Sequence, residues 1–315
     1  MISNTFTGLC LAFALHQDSR TKGKTQMRKT SESMVRSTVR RDGDGVLGAS
    51  AFKSWTCAAL LLPLIAAGSA AADNKQPQDE ELQLGQEAFA ELKAKGEIIE
   101  SSPLYNQLRP IADAISRAAQ PQYNHPFKFY LVHEAQPNAF AVPGGNVYVV
   151  DSLLYFVKNT EELAGTLCHE VSHTIHRDGV TLMKKHERAI RREVGAAVLL
   201  GPTRAHILAI ALLGKLRSLG YSREAESHAD LTGSDICAQA GYSPWGLVWL
   251  FEDFKNARKG EIPQMLSDHP DDQHRIDAVT KHMRDNPSTF AKYGRDRESA
   301  TPFSAPENAP VVFLR

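Results

Sequence analysis

The 315-residue chain carries 36 Lys and Arg against 36 Asp and Glu, giving zero formal net charge, with 42% hydrophobic and 23% charged residues. That apolar content suffices for a buried core, and the balanced charge provides no global basic field to draw the protein onto nucleic acid. The four cysteines, Cys10, Cys57, Cys168 and Cys237, show neither CxxC pairing nor the dense spacing of a disulfide scaffold.

Residues 1–72 read as a leader. Arg40, Arg41 and Lys53 precede an apolar run from Cys57 to Ala67, followed by small residues from Gly68 to Ala72 and then by Asp73. This is the order of a signal peptide, with cleavage near Ala72 and a periplasmic or secreted product. An uncleaved inner-membrane anchor is the alternative, although the run is shorter than the ~20 residues that a spanning helix needs. A folded domain is expected over 73–285, with an irregular or disordered tail over 286–315, where Pro, Ser and Asn recur without periodicity.

Within that domain, Leu82, Phe89 and Leu92 mark an amphipathic helix over 79–95 that Gly96 can end. Leu104, Leu108, Ile111 and Ile115 mark a second helix, stopping before Pro121. Two strands of a small sheet follow, at 127–133 and 145–150, the second entered through the turn signal Pro143-Gly144-Gly145. From Asn159 onward the pattern is helical, with Asn159 or Thr160 as a cap. Further helices are expected at about 179–200, 203–219, 222–240, 244–258 and 272–285. The apolar pieces on either side of Pro202 suggest a buried or surface-docked helical hairpin, a candidate for association with a membrane surface.

The chemistry is concentrated in His169-Glu170-Val171-Ser172-His173. Histidines at i and i+4 lie one turn apart on one helix face, where both imidazoles can reach a single zinc ion. The intervening Glu170 stands beside that face as a general base. A catalytic zinc site needs a third protein donor. The metzincin continuation is excluded, because its Gly position is His176 and its last His position is Gly179. The best remaining donor is Glu226 in Ser222-Arg-Glu-Ala-Glu226-Ser-His-Ala-Asp230, with Asp230 one turn on to hold the tautomer of a ligating histidine. The fold expected is α+β, mostly helical and zincin-like of the Glu type, with a small sheet packed on the metal-binding helix. A bond between Cys168 and Cys237 is not expected, since Cys237 lies about 16 Å beyond Glu226 along a straight helix.

At this point the chain resembles the HtpX-like and CAAX-prenyl-protease-like zinc peptidases. The resemblance rests on the His169–His173 motif, Asn138-Ala-Phe-Ala-Val-Pro-Gly-Gly145, Ser222-Arg-x-x-Glu226-x-x-Ala-Asp230, Asp268-His-Pro270 and Arg275-Ile276, in that order. It implies one zinc ion per chain, Glu226 as third ligand and Asp230 as its supporting carboxylate. It also implies His269 as a zinc plug or oxyanion-side donor, and Asn146, Val147, Tyr148 and Val149 as the edge strand on which an extended peptide would lie. Many relatives carry a His where this chain has Asp178. The activity implied is metalloendopeptidase action on envelope or misfolded proteins, with outer-membrane assembly proteins among the partners. The rival reading is a chaperone that binds client strands and uses zinc structurally.

Overall fold

The computed structural model describes residues 77–314, apart from 194, 196–198, 200, 202, 217–219 and 257–272. The predicted leader and His269 lie outside the described residues.

The chain runs α1 (Pro77–Ala94), β1 (Ile98–Ser101), α2 (Leu104–Ala119), β2 (Lys128–Val132), β3 (Ala139–Val142), β4 (Asn146–Val150) and α3 (Asp151–Phe156). It continues through α4 (Thr160–Ile175), α5 (Asp178–Glu193), α6 (Arg204–Leu216), α7 (Arg223–Ala240), α8 (Trp245–Asn256), α9 (Gln273–Asp285), α10 (Pro287–Phe290) and β5 (Val312–Phe313). The result is mostly helical with one small mixed sheet, as expected. Two strands were anticipated and five form among the described residues, in the order β3-β4-β2-β1-β5. β2 and β4 are parallel and the other pairs antiparallel.

Side-chain alternation explains how the sheet is covered on both faces. Val147 and Val149 of β4, Ala139 and Ala141 of β3 and Leu131 of β2 join the core that holds α2, α4 and α8. Their neighbours Tyr148, Val150, Phe140, Val142 and Val132 join a second core with α1 and α6. Period-2 burial on both sides is the pattern of a strand between two helical layers. Among the described residues, no helix is long and apolar enough to cross a membrane.

Two expectations are corrected here. β4 is not an edge: Pro143-Gly144-Gly145 closes a tight hairpin in which Val142 faces Asn146, so β4 is flanked by β3 and β2. Gly144 and Gly145 both take φ of +88°, which other residues rarely adopt. The outermost strand on this side is β3, whose Ala-Phe-Ala-Val is too short and too rich in small residues to stand out as a strand. The tail is not irregular throughout, because α10 forms and β5 pairs with β1, Ile99 opposite Phe313.

Candidate metal centre

The centre is built on α4. Asn159 caps it, accepting a hydrogen bond from the Glu162 amide at 2.8 Å, while the Glu162 carboxylate receives the Asn159 side-chain amide at 2.6 Å and the Lys158 amide at 2.8 Å. These reciprocal bonds satisfy donors at the helix start. Every residue from Glu162 to Thr174 is buried, so α4 runs through the middle of the molecule. It can do so because glycines allow close crossings. A Cβ on Gly165 would stand 2.5 Å from the Leu247 amide nitrogen of α8, and one on Gly233 of α7 would stand 3.2 Å from the backbone of Cys168 and His169.

The crossing of α4 and α7 brings the donors together. His169, His173 and Glu226 offer ligand atoms that all lie within 4.8 Å of one another. The two Nε2 atoms are 3.0 Å apart, and the Glu226 carboxylate oxygens lie 3.3 Å from Nε2 of His169 and 3.6 Å from Nε2 of His173. Each imidazole is held from behind by a carboxylate: Nδ1 of His169 lies 2.9 Å from Asp230, and Nδ1 of His173 lies 2.8 Å from Asp178. Carboxylate partners at Nδ1 leave both Nε2 atoms, with Glu226, facing a common point. Two imidazoles and one carboxylate are the donor types zinc takes in a catalytic site. Glu170 follows His169 on the same helix and is fully buried.

Electrostatics agree with the geometry. Burial alone would lower the His169 pKa, but hydrogen bonds and charge from Asp230 and Glu226 outweigh it and raise the value to about 9. Burial would raise the Asp230 carboxyl, yet Arg275 and then His169 hold it below the ordinary range. Burial pushes Asp178 above its ordinary value, with Glu226 adding to the rise.

Asp178 and Tyr221 were not anticipated as parts of the centre. Asp178 reaches back because Arg177 adopts the left-handed region, φ +57°, and turns the chain sharply between α4 and α5; Arg177 is tied there by Glu81 at 2.9 Å. Tyr221, just before the α7 cap Ser222, stacks on His173 with ring centroids 4.0 Å apart. Burial raises its phenol well above the ordinary value, with the charges of Glu170, Asp178 and Glu226 adding to the rise. A signal for Tyr221 was its position beside Ser222; Asp178 was marked only as the place where many relatives carry a His, which did not reveal that its carboxylate backs His173. His176 and His228 are exposed and take no part in the donor cluster.

The cysteine expectation is overturned. Cys168 and Cys237 form a disulfide with Cα atoms 5.8 Å apart. The distance along α7 from Glu226 was the wrong measure. α7 lies alongside α4 with Gly233 against the Cys168 backbone, so Cys237 one turn further on meets Cys168.

A histidine pair on one buried helix, a glutamate from a second helix and a small sheet alongside define a zincin-like metallopeptidase. The chain belongs to peptidase family M48, whose pattern matches residues 102–283 and whose members use zinc. It is similar to the beta-barrel assembly-enhancing protease of Yersinia pestis, at 27% identity over 71% of this chain and 51% of that protein. The protein of the same name from Escherichia coli (strain K12) is 25% identical over 61% of this chain and 41% of its own length. The mitochondrial metalloendopeptidase OMA1 of Saccharomyces cerevisiae is 31% identical over 47% of this chain and 44% of its own length. The chain thus spans about half the length of the curated relatives it matches.

Proposed function

We propose that this chain is a zinc-dependent endopeptidase in which His169, His173 and Glu226 hold the metal and Glu170 is the general base. The observation that carries this is the convergence of the three donors, each histidine backed by its own carboxylate. Zinc, when bound, supplies a Lewis acid that polarises a carbonyl and acidifies water. Glu170 accepts the proton of the attacking water and passes it to the departing amine. Asp230 and Asp178 fix the imidazole orientation. β3, the outermost strand beside α4, is the strand along which an extended peptide would add, in place of Asn146–Val149.

The leader supports a periplasmic or secreted product starting near Asp73. The names of the bacterial relatives suggest envelope clients, including proteins of outer-membrane assembly. His169, Glu170, His173 and Glu226 are at most 1% exposed, so the proposed proton transfers take place away from bulk water.

The test is Glu170→Gln in the full chain. It should keep one zinc per chain by elemental analysis and lose hydrolysis of unfolded casein by at least about 100-fold. Equal cleavage by both proteins would overturn the mechanism. Capture of clients by the variant, with no cleavage by the parent, would favour the chaperone reading.

A further inference from the structure

Arg275 is 4% exposed and lies in the first turn of α9. Its Nε and Nη2 donate to the two oxygens of Asp230, each at 2.7 Å, and its Nη1 lies 3.0 Å from Oε2 of Glu226. The guanidinium carbon sits 4.6 Å from the centroid of the Phe251 ring, which fixes the plane of the fork. One planar cation therefore engages two carboxylates one turn apart on α7, and both of these face His169.

We infer that Arg275 is a positioning residue for the metal centre, orienting the Glu226 carboxylate toward the paired imidazoles while it locks Asp230 behind His169. The inference rests on the metal site proposed above and deepens it. Three physical points support it. First, Glu226 has a long side chain whose rotamers must be restricted if an oxygen is to wait at the donor position, and Arg275 grips it at Oε2. Secondly, two buried carboxylates this close repel each other, and a cation between them removes that penalty without touching the histidines. Thirdly, the fork geometry suits arginine alone. Lysine would bring the charge but could not place three N–H groups in one plane on two separate acceptors.

The bland alternative is that Arg275 merely neutralises buried acid and stabilises the fold. The two differ in what restores metal binding. Zinc affinity would be measured by chelator competition, beside melting temperature, for the full chain and for Arg275→Ala and Arg275→Lys. The positioning role predicts affinity about 10–100-fold weaker in Arg275→Ala. Millimolar methylguanidinium should recover part of that loss, and Arg275→Lys should regain melting temperature more fully than affinity. Affinity within twofold of the parent in both variants overturns the inference. So does a fall in affinity that tracks melting temperature and responds to neither lysine nor methylguanidinium. If the parent itself bound no zinc, the functional reading would fail instead, a result separable from these.

Discussion

His169 touches two carboxylates at once, Asp230 behind its Nδ1 and Glu226 before its Nε2, and both are held by the Arg275 cation. In the metal-free protein a proton competes for the place of the cation. The His169 pKa, about 9, lies above the ordinary 6.5. A raised folded-state value stabilises the native state fully below pH 6.5 and is lost as pH rises through 9. The melting temperature of metal-free protein should therefore fall between those limits, while zinc affinity rises over the same window as the proton leaves. Titration of both, with His169→Gln as the flat control, checks the pair of trends; parallel profiles in parent and variant would contradict them. The His pair was legible because the motif is local, five residues on one helix. Glu226 was legible from its own motif and from the need for a third donor. The resemblance singled out position 178, but the contact of Asp178 with His173 was not legible, because it depends on the left-handed Arg177, a conformation that no residue type announced.

At the scale of elements, α4 is held by contacts between small residues. Gly165 admits α8 and Gly233 admits α7, and the Cys168–Cys237 bond then ties α4 to α7 across a separation of 69 residues. Because a loop of that length loses much freedom when closed, the chain-entropy model gives the disulfide about 4 kcal/mol of stabilisation. Replacing both cysteines with alanine should lower the urea midpoint of the oxidised protein and weaken zinc binding, since the bond joins the two donor-bearing helices. A double variant with an unchanged midpoint would show that packing alone fixes the crossing. Helix periodicity was readable in nearly every helix, including the metal helix and its Asn159 cap. Short strands were harder. β1, β3 and β5 have four, four and two residues, and the partners that make them strands lie elsewhere in the chain.

Across the whole molecule, the C-terminal stretch is a brace. Trp245 and Trp249 donate from their indoles to the carbonyls of Tyr293 and Arg295, and Arg297 pairs with Asp253 at 2.7 Å. The Phe303 amide then donates to the Lys158 carbonyl, beside the start of the metal helix. Ending the chain after Ala300 would strip β5 and this last anchor. Melting should drop by roughly 5 °C, equivalent to about 2 kcal/mol in a domain of this size. Light scattering should increase as the bared edge of β1 finds other chains. Unchanged melting and scattering would mean that the brace carries no weight. The low complexity of 286–315 hid this role, because its contacts are backbone bonds and single aromatic donors that leave no periodic trace.

The pairing of Ile99 with Phe313 also sets a timetable. The strand beside β1 is supplied from the far side of the catalytic helices, so the sheet stays unfinished until residue 313 has been synthesised. A nascent chain of this design therefore carries an open β1 edge long after β1 itself has been made, and the sheet's last pairing is among the least local contacts of the fold.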